Sequence, residues 1–175
     1  LAIPQTAVDG SPGSRCPEAM TLPYETESPD WQDQILSAVG GKSALAIGPG
    51  LAPTKTTQDL LCRLLDSCWL PMVLDAEALN QLVGRLDVLK ERSRRGFATV
   101  LTPHPGEAAR LLGTTSAAVQ ADRVAAVRSL TAQTDSVVLL KGARTLIARP
   151  PIAGEHATTL AMIPTGSAAM GSGGM

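Results

Sequence analysis

Short apolar runs alternate with stretches of helical spacing along most of this chain, and no other feature constrains its fold as strongly. SALAI at 43–47, PMVLD at 71–75, ATVLT at 98–102 and SVVLL at 136–140 each read as a short buried strand, with TLIAR at 145–149 and TTLAMI at 158–163 as later ones. Between them, 54–69 carries Leu60, Leu61, Leu64, Leu65 and Cys68 at helical spacing, which makes one inward stripe. A short helix is predicted over 76–83, another over 105–112 with Pro105 suited to its first turn and Gly113 as its stop, and a longer one over 116–133. The charged stretch KERSRRG at 90–96 is left without an element. Strands alternating with helices imply right-handed crossovers, hence an α/β fold with a mainly parallel sheet and helices on both faces. Ligands of such sheets bind beyond the carboxyl ends of the strands, so residues just after strands are the ones to weigh.

Composition narrows the partners. With 44% hydrophobic and 18% charged residues the chain can bury a core, and 175 residues suit one α/β domain. A net charge of −1 offers no broad field for a phosphate backbone, so nucleic acid is not an expected partner. The aromatics are only Tyr24, Trp31, Trp69 and Phe97, which leaves the core to Leu, Val, Ile and Ala and provides no base-stacking platform. Cys16, Cys62 and Cys68 form neither a CxxC nor a zinc spacing, so no metal site is expected and a reduced, cytoplasmic setting is. No apolar run approaches the roughly 18 residues of a spanning helix, and no membrane partner is expected. The segment 5–29, rich in Pro, Ser, Gly and Thr, reads as a long surface connection, and Asp30 as the cap of a helix through Ala38 that Gly40 and Gly41 close. The chain begins at Leu1 in what reads as the tail of a strand and stops at Met175 inside a glycine cluster. The expectation is a single domain over 1–175, truncated at both ends.

Each candidate motif has a functional reading and a structural one. GPGL at 48–51 admits close approach of backbone to a ligand, or is a tight turn. Asp75, at a strand end, can accept from ligand hydroxyls or hold a metal's water, or cap the next helix with Asn80 on an exposed face. His104, between Pro103 and Pro105 at a strand-to-helix turn, can reach the active face or be structural, and Glu107 can pair with Arg110 one turn on. LLKGARTLIA at 139–148 can present Lys141, backbone N–H groups and the Thr145 hydroxyl to phosphates, or be an ordinary hairpin with Gly142 at positive φ. IPTGSAAMGSGGM at 163–175 is either an anion-binding glycine cluster before a helix or a flexible tail.

In their order, GPGL, LDAEALN, LTPHPGEAARLLG, LKGARTLI and IPTGSAAMGSGG resemble one family, the bacterial NAD(P)H-hydrate dehydratases of the ribokinase-like superfamily. The similarity runs from CPEAM, at about residue 17, to Met175, and PHPGE is its most diagnostic segment. The resemblance implies ADP-dependent repair of (6S)-NAD(P)H hydrate with Mg²⁺: ADP phosphorylates the hydroxyl, phosphate is eliminated, and NAD(P)H, AMP and phosphate result. It implies that Gly50 and His104 contact the hydrated nicotinamide nucleotide, with Asp75 and Asn80 lining the site and Glu77 replacing a second aspartate. Lys141, Gly142, Ala143, Arg144 and Thr145 match the loop that binds ADP or AMP, and Gly174 would add a backbone N–H to the anion hole. Ser167 stands where an asparagine is usual. Family members follow the glycine cluster with Gly-Asp, the aspartate acting as base. That aspartate is expected past Met175, so no catalytic residue is assigned within the chain and the fragment alone is expected to be inactive. The family also implies a homotetramer and an NAD(P)H-hydrate epimerase, fused or separate. The alternatives are a vitamin-precursor kinase of the same superfamily and a catalytically silent fragment.

Overall fold

The computed structural model describes residues 2–4, 22–24, 28 and 30–165. The chain divides into two compact units, Leu1–Lys42 and Ser43–Met175.

In the first unit β1 (Ala2–Pro4) pairs in parallel with β2 (Leu22–Tyr24), and α1 (Trp31–Ala38) follows. β2 lies within the segment read as a surface connection; three residues of ladder are too few to display a strand period. Asp30 occupies the N-cap position of α1 but makes no capping bond. Its backbone, at φ −104° and ψ 6°, is outside the extended region an N-cap uses, and its carboxylate is taken by the Ser28 hydroxyl instead.

In the second unit β3 (Leu45–Ile47), β4 (Met72–Leu74), β5 (Thr99–Leu101), β6 (Val137–Leu140), β7 (Leu146–Arg149) and β8 (Thr159–Met162) form one six-stranded sheet in chain order. β3 to β6 are parallel, and β7 and β8 continue it as an antiparallel hairpin edge. The crossovers carry α2 (Lys55–Ser67), α3 (Glu77–Asn80), α4 (Asp87–Arg94), α5 (Pro105–Leu112), α6 (Ser116–Ala121) and α7 (Arg123–Thr134). This is the expected mainly parallel α/β class, with α4 touching both α2 and α7. Because neighbouring parallel strands are consecutive, right-handed crossovers send these connections to one side of the sheet, so the expected helices on both faces are not what the crossovers of this unit supply. Burial follows that side: Met72, Leu74, Leu101, Val138, Leu140 and Ala148 are nearly inaccessible, whereas Val73 is 37% exposed. Each fully buried Leu or Val contributes about 1.5–3 kcal/mol.

The predicted stripe of α2 is buried, and Thr54 starts the helix through a capping box with Thr57. The helix expected over 116–133 is two, because Asp122 at φ −140° and ψ 81° breaks it and caps the second through Ala125 N–H. The charged stretch at 90–96 forms the end of α4 and the turn beyond it, and hides a buried cation. Arg92, 1% exposed, donates to Thr99 Oγ1 at 3.1 Å and to the carbonyls of Leu65 (3.2 Å), Cys68 and Leu70, so α2, the start of β4 and β5 are tied to one guanidinium. Carbonyls at the end of α2 are natural partners for a cation.

Candidate active site

The carboxyl ends of β3, β4, β5 and β6 carry the loops that the sequence singles out. Gly48 ends β3 at φ 132°, and a Cβ there would lie 1.7 Å from the Asp75 carbonyl oxygen, so the loops after β3 and β4 touch backbone to backbone. The GPGL turn closes by Leu51 N–H donating to Gly48 O at 3.0 Å, with Gly50 exposed at φ 78°. The close approach at this turn is therefore to the protein's own chain at Gly48, and open space surrounds Gly50.

Asp75 continues the β4 ladder by donating its N–H to Ile47 O at 3.0 Å. It is not the cap of α3; Ala76 holds that position, without a capping side chain and at φ 48°, a conformation that costs a non-glycine residue about 1–3 kcal/mol. The Asp75 carboxylate instead accepts from Lys141 Nζ at 2.6 Å. Partial burial favours its neutral form, but the Lys141 hydrogen bond and charge, the Ala76 amide and the Thr102 hydroxyl outweigh that and hold the carboxyl below its ordinary range.

PHPGE is a helix start in which every residue has a part. His104 is the N-cap of α5, and its Nδ1 accepts from Gly106 N–H at 3.0 Å. Pro105 fills the first turn, where no N–H is needed. A Cβ on Gly106 would lie 2.7 Å from His104 Cε1, so only glycine leaves room for the ring. Glu107 closes the box by accepting from His104 N–H at 2.7 Å. Since Nδ1 accepts, the neutral ring carries its proton on Nε2, 3.4 Å from Glu107 Oε1 and half exposed.

Glu107 joins this turn to the next strand. Its side chain is 6% exposed, and Lys141 Nζ lies 3.9 Å from its Oε2. Lys141 thus sits between the Asp75 and Glu107 carboxylates while keeping 39% of its side chain exposed. The expected pairing of Glu107 with Arg110 does not occur among the interactions described. Arg110 Nε donates to Asn80 Oδ1 at 2.9 Å, and Asn80 Nδ2 to Glu77 Oε2 at 2.9 Å, linking α3 to α5. One turn of a short helix points the two side chains to different neighbours, and the inward one is Glu107.

The loop after β6 is a hairpin, as one reading had it, and it also carries the expected groups. Gly142 has φ 142° and Arg144 φ 56°, the Thr145 hydroxyl donates to Gly142 O at 3.1 Å, and Lys141 N–H donates to Pro103 O at 2.8 Å. Gly142, Ala143 and Arg144 are exposed. Lys141 therefore joins Asp75 to Glu107, and Glu107 joins both to His104; Asn80 is linked to α5 through Arg110, and Gly50 lies in the loop after β3. Gly174 and Ser167 lie outside the described residues. The sequence reading missed the part of Glu107, although His at the N-cap with Glu three residues on was its available signal, and it missed Arg123 beneath the hairpin altogether. Among the described residues no group of three His, Cys, Asp or Glu is arranged to hold a metal ion, and no helix is long and apolar enough to cross a membrane.

A mainly parallel sheet with a cation-bearing loop at its carboxyl edge defines an α/β protein, and its fold is shared with solved structures, among them a ribokinase-like superfamily protein from Enterococcus faecalis at a TM-score of 0.55 and 24% identity, covering 77% of this chain and 44% of that one. Over 99% of the chain it superposes on an ADP/ATP-dependent NAD(P)H-hydrate dehydratase from Bacillus subtilis, crystallised with ATP and Mg²⁺, with a TM-score of 0.68 and 28% identity, covering 58% of that structure. The family described as NAD(P)H-hydrate dehydratase matches residues 8–175, and the chain belongs to it. It is 42% identical over 154 residues to the bifunctional NAD(P)H-hydrate repair enzyme Nnr of Moorella thermoacetica, covering 85% of this chain and 28% of that protein. It is 49% identical over 105 residues to the ADP-dependent (S)-NAD(P)H-hydrate dehydratase of Neisseria meningitidis, covering 59% of this chain and 34% of that one. The chain thus spans about a third or less of the length of these curated relatives.

Proposed function

We propose that the protein containing this chain dehydrates the S form of NAD(P)H hydrate at the expense of ADP, and that the chain supplies walls of both binding sites. The observation that carries the reading is the Lys141 ammonium held 2.6 Å from Asp75 and 3.9 Å from Glu107 of PHPGE, because it joins the nucleotide loop to the substrate side. On this reading the hydrate's nicotinamide end lies against His104, Asp75, Asn80 and Gly50, with the His104 Nε2–H as a donor. Lys141, Gly142, Ala143, Arg144 and Thr145 hold the diphosphate of ADP, and Gly174 adds to that set.

The chemistry moves the β-phosphoryl group of ADP to the hydrate's hydroxyl, whose proton passes to a base, and releases AMP. Phosphate then leaves with the carbon–oxygen bond electrons while a proton is lost from the neighbouring ring carbon, which restores the double bond of the dihydronicotinamide. Lys141 would neutralise phosphate charge during both steps. No described residue is assigned as the base. Mg²⁺ would ride on the nucleotide's phosphates, since the described carboxylates at the site are engaged by Lys141 and form no cage. The cytoplasm, a homotetramer and an accompanying epimerase complete the reading; relatives named bifunctional support the last.

The test is recovery of dihydronicotinamide absorbance when the full-length protein meets the 6S hydrate, ADP and Mg²⁺. Recovery that depends on ADP is the expected result. No recovery with any nucleotide, or preferential phosphorylation of vitamin-precursor alcohols by ATP, overturns the reading.

A further inference from the structure

Arg123 opens α7, and its guanidinium lies directly beneath the hairpin that follows β6. Nη1 donates to Ala143 O at 2.5 Å, and Nη2 to Leu140 O at 3.1 Å and Lys141 O at 3.4 Å. A Cβ on Gly142 would fall 3.0 Å from Arg123 Nη2, so glycine lets the guanidinium reach the loop. Helix electrostatics do not explain the placement, because the first turn of a helix disfavours a cation. Nor does ion pairing: among the described residues no carboxylate lies within 4.0 Å of Arg123.

What the contact does follows from peptide geometry. In a trans peptide the carbonyl of one residue and the N–H of the next point in opposite directions. Holding the carbonyls of Lys141 and Ala143 inward therefore turns the N–H groups of Gly142 and Arg144 outward. Neither of these amides donates to an acceptor among the described residues. Outward amides beside the Lys141 ammonium and the exposed Arg144 make a donor set suited to phosphate oxygens.

We propose that Arg123 is a positioning residue that shapes this hairpin into a phosphate-binding loop, fixing its amides before the nucleotide arrives. The proposal rests on the reading of the loop as the ADP site. Its test uses Arg123→Gln and Arg123→Lys in the full-length protein, with ADP affinity by calorimetry, steady-state constants for both substrates, and amide exchange of Lys141, whose N–H is held by Pro103.

Arg123→Gln should weaken ADP binding about tenfold or more through lost preorganisation. The loss should fall on KM for ADP rather than on KM for the hydrate, and Lys141 exchange should quicken while the α7 amides keep their protection. Arg123→Lys should recover part of the affinity, because one ammonium cannot span three carbonyls as the fork does. Unchanged ADP affinity in Arg123→Gln overturns the proposal, and if Lys141 exchange alone quickens, Arg123 is merely structural. A parent protein that binds no ADP defeats the functional reading itself, an outcome told apart because it appears before any substitution is made.

Discussion

Lys141→Met separates what the cation does for the fold from what it does for chemistry. Its ion pair with Asp75 is short, at 2.6 Å, but the two side chains are 39% and 30% exposed, so solvent screens it. A pair in that position is worth about 0.5–1 kcal/mol. Losing the cation also leaves the Asp75 carboxylate half buried and Glu107 without the ammonium at 3.9 Å, which brings the total to about 1–2 kcal/mol. The methionine keeps most of the apolar stem, so no cavity opens. A lost charge-assisted contact to phosphate, by contrast, is worth about 1.5–3 kcal/mol at each stage, or on the order of 10- to 100-fold in kcat/KM for ADP. Urea unfolding and initial rates on the same preparations measure the two effects. The pH dependence has a definite sign. The folded-state pKa of Asp75 is depressed, so its contribution to stability is present above the ordinary carboxylate value and is lost as pH falls through the lower folded value. Lys141→Met raises that folded pKa, so parent and variant converge in stability as acid protonates Asp75. Destabilisation by several kcal/mol with near-normal kcat/KM for ADP would refute the reasoning, because Lys141 would then be a structural cation.

Three further outcomes follow from close contacts. Gly48→Ala puts a Cβ 1.7 Å from the Asp75 carbonyl oxygen at a φ of 132°, and should destabilise by about 3 kcal/mol or more, read as a drop in urea midpoint. Gly106→Ala drives a Cβ to 2.7 Å from His104 Cε1; the ring swings off the Gly106 amide, costing about 1 kcal/mol of cap and raising KM for the hydrate more than KM for ADP. Arg92→Met leaves the carbonyls of Leu65, Cys68 and Leu70 without their donor and should cost about 3 kcal/mol by chemical denaturation, with kcat/KM of the folded fraction unchanged.

What could be read from the residues alone divides along physical lines. Period and punctuation carried the strands of the large sheet, the inward stripe of α2 and the Pro105 and Gly113 bounds of α5, because each is a local signal. Contacts between distant residues carry no such signal. Asp75 and Lys141 are 66 positions apart, and the cap reading of Asp75 fell only because the carboxylate finds Lys141 after folding. α4 stayed hidden since Lys, Glu and Arg suggest a solvated stretch, whereas Leu89 and Arg92 both turn inward and Arg92 is satisfied by three carbonyls of residues 65–70 and by the Thr99 hydroxyl. The break at Asp122 was invisible to a window that saw helical spacing on both sides, although Asp is a good N-cap. Family resemblance picked out the hairpin and PHPGE, but not that Glu107 connects them or that Arg123 lies under the loop.

A crystal structure of the full-length protein with ADP and a non-reacting analogue of the hydrated dinucleotide bears most directly on the claim that two ligands meet beside Lys141. The account predicts a diphosphate within about 3.5 Å of Lys141 Nζ and of the Gly142 and Arg144 amides, with the nicotinamide end against His104. Both ligands bound away from the carboxyl ends of β4, β5 and β6 would contradict it.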